Sequence, residues 1–121
     1  MDYLIQQKIG QAQEDLEFFK RQKLEIFALI ETMSVMKKNK TLTSPLGGGI
    51  YFKSTIVSDK FLLNVGAGNL VEKTNGEIID LLKRRIIEIE KSEQDKLVEI
   101  NELNSKILEF QKKLKAEQAK K

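Results

Sequence analysis

Residues 76–119, GEIIDLLKRRIIEIEKSEQDKLVEINELNSKILEFQKKLKAEQA, space apolar side chains alternately three and four residues apart. The seam runs Ile79, Leu82, Ile86, Ile89, Glu93, Lys96, Ile100, Leu103, Ile107, Phe110, Leu114, and nine of these eleven are apolar. A period of 3.5 sustained this long is the signature of a coiled-coil helix with a left-handed supercoil. Thr74-Asn75-Gly76-Glu77 fits a capping box at its start. Working back toward the N-terminus, Leu4 to about Lys38 repeats the pattern. Its seam is Ile5, Ile9, Ala12, Leu16, Phe19, Lys23, Ile26, Ile30, Met33 and Lys37, eight of ten apolar. At about 1.5 Å per residue the two helices are roughly 50 and 65 Å long.

The segment between them reverses the chain, so the helices pair antiparallel. Seam positions facing each other then sum to a near constant. Setting Met33 beside Leu82 puts Ile5 beside Phe110 and Lys23 beside Glu93. The polar break in one seam meets a polar break in the other. The expectation is a Lys23–Glu93 register pair, which costs stability against apolar packing but fixes alignment. The alternative is that both side chains reach out to solvent.

Residues 41–73 change character, with β-branched residues, glycines and Pro45, the one proline of the chain. Strands are expected at Thr41–Thr43, Ile50–Val57, Phe61–Val65 and Leu70–Lys73, with turns at Pro45–Gly49, Ser58-Asp59 and Gly66–Gly68. The pattern reads as two hairpins in tandem. Four short strands bury little area, and their edges invite pairing with another chain. Ile50, Phe52, Ile56, Phe61, Leu63, Val65 and Leu70 are the candidate oligomerisation residues. The alternative is that these strands pack only on the helix ends of their own chain.

The expected architecture is mainly α with small β. A long antiparallel coiled-coil hairpin carries two β-hairpins at its closed end and two free helix tips at the other. Length fits one domain, 1–121, divided as helix 1–40, hairpins 41–73 and helix 74–121.

Composition narrows the function. The chain has no cysteine and no histidine, so neither a disulfide framework nor a thiolate metal site is possible. The side chain that titrates near neutrality is missing, which argues against acid–base catalysis. Gly47-Gly48-Gly49 and Gly66-Ala67-Gly68 lack the Gly-Lys-Ser/Thr of a phosphate loop. The expectation is a binding or assembly protein, not an enzyme, with no cofactor. The first helix's longest apolar run, Ile26–Ile30, is far short of a membrane span, and Met1–Leu4 lacks the basic flank of a leader, so a soluble cytoplasmic protein is expected. Net charge is +3, and residues 1–40, 41–73 and 74–121 each carry an excess of one base. That even spread disfavours nucleic-acid binding. Lys112, Lys113, Lys115, Lys120 and Lys121 form a basic tail, either a solvated fraying end or an attractor for acidic segments.

Pro45-Leu46-Gly47-Gly48-Gly49-Ile50-Tyr51, followed by Val65-Gly66-Ala67-Gly68-Asn69-Leu70-Val71-Glu72-Lys73, resembles the two hairpin motifs of alpha-class prefoldin subunits. With the helices matching by period and position, the resemblance covers nearly the whole chain. Asn69-Leu70 departs from it, standing where that family often has aromatics. The resemblance implies an ATP-independent holdase. Its hairpins would join those of beta-type prefoldin subunits in an oligomeric β-barrel body, classically a hexamer of two alpha and four beta. Its coiled-coil tips would hold unfolded client proteins for a group II chaperonin.

Within that expectation the tip residues are Met1, Tyr3, Leu4, Ile5, Phe110 and Leu114. Apolar groups with few neighbours at a helix end can take up nonpolar client segments, and several tips acting together supply avidity. For Ile5 the plainer role, closing the last seam layer, is favoured; for Tyr3, Leu4 and Phe110 the two roles stand level. A competing reading is a structural scaffold or filament subunit assembled through the same hairpins.

Overall fold

The computed structural model describes residues 2–119; Met1, Lys120 and Lys121 lie outside the described residues. The chain is mainly helical with a small β part. Helix α1 (Asp2–Val35) leads to strands β1 (Thr41–Gly47), β2 (Ile50–Thr55), β3 (Lys60–Asn64) and β4 (Leu70–Thr74), then helix α2 (Asn75–Ala119). It divides into two compact units, one of Met1–Leu24 with Ile86–Lys121, the other Glu25–Arg85.

In the unit of the chain ends, the apolar seam positions lose water, with Leu114 the exception. Ala12 is 1% exposed, Ile86 and Leu103 are buried, and Ile5, Ile9, Leu16, Phe19, Ile89, Ile100, Ile107 and Phe110 are half-buried. Two ionic links cross between the helices. Lys23 Nζ lies 2.6 Å from Glu93 Oε1, and Lys96 Nζ lies 3.3 Å from Asp15 Oδ2. Moving back along α1 is moving forward along α2, so the helices are antiparallel here. Glu93 is 8% exposed, the one buried charged residue among those described. Its carboxylate holds the Lys23 ammonium and pushes the lysine's pKa up. A raised lysine pKa contributes stability that is complete at neutral pH and lost only as pH climbs through the folded value. Glu99, then Asp15, do the same to Lys96.

In the other unit, Met33, Ile78 and Leu82 form a buried cluster, with Ile26, Ile30, Phe61 and Ile79 packed around it. Ile78 is off the heptad seam. It sits on the first turn of α2 and is buried with Met33 and Leu82, and Phe61 of β3 packs on the same cluster. Asn75, the first residue of α2, ties the helices together. Its amide Nδ2 donates to the carbonyl oxygens of Met33 (2.6 Å), which also accepts the Met36 N–H (3.2 Å), and of Met36 (3.0 Å), at the helix end where carbonyls run out of intrahelical donors. The capping box is formed as the sequence suggests. The Glu77 N–H donates to Thr74 Oγ1 (3.2 Å), and the Thr74 N–H donates to Glu77 Oε1 (3.1 Å). Those bonds to Thr74 hold the Glu77 carboxyl below its ordinary range.

The strands form two separate antiparallel ribbons, β1 with β2 and β3 with β4. β1 runs further than the sequence suggests: Pro45 pairs with Tyr51, with a bulge before Gly47. Each ribbon has only two strands, so both strands are edges and proline costs no ladder bond on its outer side. The turn shrinks to Gly48 and Gly49, both with positive φ, the pattern of a type I′ connection. β2 stops at Thr55, but Ile56 continues the pairing by exchanging hydrogen bonds with Asn39 and Lys40. Val65 leaves β3 for the second turn, where its N–H donates to the Asn69 carbonyl. α1 ends at Val35, short of Lys38, and Asn39 takes a positive φ.

Substitutions at three of these contacts test the packing. Asn75→Ala should lower unfolding free energy by about 1–3 kcal/mol in denaturant titrations, because the Met36 carbonyl loses its side-chain donor and the Met33 carbonyl keeps only the Met36 N–H. Asn75→Asp should fall further, since it sets a carboxylate against those carbonyls and the negative end of α1. Because the Glu77 pKa is depressed by folding, its contribution is complete at neutral pH and fades as pH drops through the carboxylate range; Glu77→Gln should flatten that acid limb in a pH series of melts. Lys23→Ala should melt below the parent, because Glu93 is left buried and unpaired, whereas Lys23→Leu with Glu93→Leu should melt above it.

Candidate functional site

Apolar side chains are left uncovered in both units. Among the chain-end residues, Tyr3 is 70% exposed and Leu4 60%, on the first turn of α1. The Tyr3 hydroxyl accepts a hydrogen bond from Gln7 Nε2 at 3.0 Å, one turn along, which holds the ring against the helix surface. Leu114 is exposed as well, whereas Ile5 and Phe110 are half-buried at seam positions. Met1, placed with this group by the sequence, lies outside the described residues. Leu108 is exposed and escaped the sequence reading because it is off the seam.

In the hairpin unit, strand register decides which side chains face out. Leu42 pairs with Ser54 and Ser44 with Phe52. One face of the β1–β2 ribbon therefore carries Leu42, Ser44, Phe52 and Ser54, with Ile50 in phase. The two serine hydroxyls on it are 3.2 Å apart. Ile50 and Phe52 are exposed, while Ile56 is half-buried. In the β3–β4 ribbon, Phe61 pairs with Lys73 and Leu63 with Val71. Phe61 and Leu63 share a face and are half-buried, Phe61 against the chain's own helical cluster. Leu62 and Leu70 share the opposite face and are exposed. Val65 is exposed beside the turn.

Of the seven strand residues singled out from sequence, Ile50, Phe52, Val65 and Leu70 are thus open, and Ile56, Phe61 and Leu63 are partly covered. Leu46, Tyr51, Val57 and Leu62 are open and were missed. The period of two held the signal for Leu62: a helix covering Phe61 and Leu63 leaves the residue between them outside.

Charge is not as even in space as along the chain. The hairpin unit has nine basic and six acidic residues, the other twelve of each. The whole net charge of +3 therefore belongs to the hairpin unit. A groove of about 240 Å3 there has a floor of Leu63, Ile78 and Leu81 and a rim of Lys73, Glu77, Asp80 and Arg84. The rim has no hydroxyl or thiol nucleophile. Among the described residues no cluster of acidic side chains is placed to hold a metal ion, and no helix is long and apolar enough to cross a membrane.

A family model described as prefoldin subunit matches residues 5–120. Among curated relatives, prefoldin subunit alpha 1 of Methanocaldococcus jannaschii is 29% identical over 114 residues, covering 94% of this chain and 80% of that protein. Prefoldin subunit alpha of Methanoregula boonei is 30% identical over 82% of this chain and 67% of its own length. The Archaeoglobus fulgidus subunit alpha is 28% identical over 96% and 95%. In fold, the chain is similar to a solved structure of filamentous PFD from Methanocaldococcus jannaschii, with a TM-score of 0.77 at 16% identity, over 90% of this chain and 93% of that one. Two coiled-coil helices around two hairpins, and a family match over nearly every residue, place this chain in the prefoldin family, in its alpha class.

Proposed function

We propose that this chain is a cytoplasmic, ATP-independent holdase subunit. Its hairpins join beta-type prefoldin subunits in a β-barrel body, and its helix ends hold unfolded proteins for delivery to a group II chaperonin. The observation that supports this most is the uncovered apolar surface at the chain-end turns, above all Tyr3 and Leu4. Nonpolar client segments gain by leaving water there, and each weak contact is multiplied when several subunits act together. Assembly is supported by Ile50, Phe52, Leu62 and Leu70, open on ribbons whose strand edges all lack a further strand among the described residues. Both glycine clusters serve turns with positive φ, which fits a protein that binds no nucleotide. Lys23–Glu93 serves as a register pair, holding the apolar layers on either side in step.

A second reading is a structural scaffold or filament subunit built through the same hairpins. It is favoured by the solved PFD structure of like fold, which is described as filamentous.

A client aggregation assay separates the two. A denatured protein is diluted without ATP into this chain, with and without a beta-type prefoldin subunit. Suppressed light scattering is the expected result, and removal of residues 1–5 and 110–121 should abolish it. Undiminished scattering alongside a well-formed oligomer by light-scattering mass would move the assignment to the scaffold.

A further inference from the structure

Ile87, Val98 and Leu108 are 66%, 55% and 59% exposed on α2. They fall on the run 87, 91, 94, 98, 101, 105, 108, whose alternating steps of four and three residues keep it in one row parallel to the seam. Lys91, Gln94, Asn101 and Ser105 complete the same row, and Leu97 is exposed beside it. The row lies on the helix face away from the buried seam of Ile86, Glu93 and Leu103. The outward face of a coiled-coil helix ordinarily carries charge. Here 19 of the 45 residues of α2 are charged, yet the seven positions of this row from Ile87 to Leu108 carry a single charge, Lys91.

Its flanks are acidic. Between residues 87 and 109, Glu93, Lys96 and Glu99 are engaged in ion pairs. The remaining charges are Glu88, Glu90, Asp95, Glu102 and Glu109 against Lys91 and Lys106, a surplus of three carboxylates. None of those five carboxylates forms an ion pair among the described residues. The row from Ile87 to Leu108 is about 32 Å long. An extended segment of about ten residues spans that length.

We infer that this outward face of α2 docks basic, apolar-spaced segments of unfolded chains, so that the subunit selects lysine- and arginine-bearing clients over acidic ones. This rests on the holdase reading and adds a client class and a surface separate from the helix ends. The apolar row supplies area removed from water, and the carboxylates select the sign of charge beside it.

The test uses the full chain, alone and mixed with a beta-type prefoldin subunit. Two fluorescein-labelled twelve-residue peptides share the same leucine and valine positions; one carries four lysines and the other four glutamates. In anisotropy titrations at low salt the lysine peptide should bind about 10-fold tighter, and the gap should close in high salt as the charges are screened. Ile87→Ser with Val98→Ser and Leu108→Ser should weaken both peptides by about 10-fold, and circular dichroism should be unchanged because the residues are outside the core. Glu88→Gln, Asp95→Asn, Glu102→Gln and Glu109→Gln together should erase the preference while leaving the glutamate peptide's affinity level or improved. Equal affinity for the two peptides, or an unchanged triple-serine variant, overturns the inference. So does a triple-serine variant that loses oligomer mass and not peptide affinity, since the face would then be a subunit contact. Suppressed client scattering with no charge preference would sink this inference alone. Charge-selective peptide binding without suppression would sink the holdase reading alone.

Discussion

Two helices cannot cover each other. A two-helix seam encloses each side chain on one side only, and the numbers follow: Ala12 alone approaches complete burial, and the rest of the core is a handful of residues below one tenth exposed. Stability must therefore be gathered from many half-buried layers. No single large cluster supplies it, as one would in a compact domain of this length. The same constraint leaves apolar groups in water all along the chain. Those groups are the raw material for binding and for assembly.

With so little redundancy in each layer, alignment has to be set by a few directional contacts. An apolar seam tolerates slippage by a heptad, because leucine on isoleucine packs nearly as well as isoleucine on leucine. A charge buried without its partner does not tolerate it. Lys23 and Glu93 are the polar interruption where the two seams meet each other at 2.6 Å, and any shift separates them. In the hairpin unit Asn75 has the same role by other means. Its amide must donate, because both of its partners are carbonyl oxygens, and those carbonyls are fixed at the end of α1. The capping box one residue earlier fixes where α2 begins, so the donor stands at a defined position.

What depended on period was legible in the sequence. The seam layers, the Thr74–Glu77 cap and the Lys23–Glu93 juxtaposition follow from residue spacing alone. The helix end at Val35 and the extension of β1 through Pro45 did not, because each is decided by what the neighbouring strand offers and not by local propensity. The division of the apolar strand residues was hidden for a related reason. Alternation says that Phe61 and Leu62 point to opposite faces; only packing says that Phe61 is the one the helices cover. Charge misled for the opposite reason. Counted along the chain it is even, but folding sorts residues 25–85 from the rest, and the surplus of base collects there.

α2 presents two faces of different kinds. Its seam face is committed, since Ile86 and Leu103 are buried and Glu93 is engaged. Its outward face is not, and there Ile87, Val98 and Leu108 are left exposed among the described residues. Replacing each by a charged residue would cost the coiled coil almost nothing, because exposed outer positions contribute little to pairing. Isoleucine, valine and leucine at three such positions, in a row whose one charge is Lys91, contribute little to the fold of the single chain. A protein that holds unfolded chains gains from such a row, because the area it offers remains available only while its own folding has no use for it.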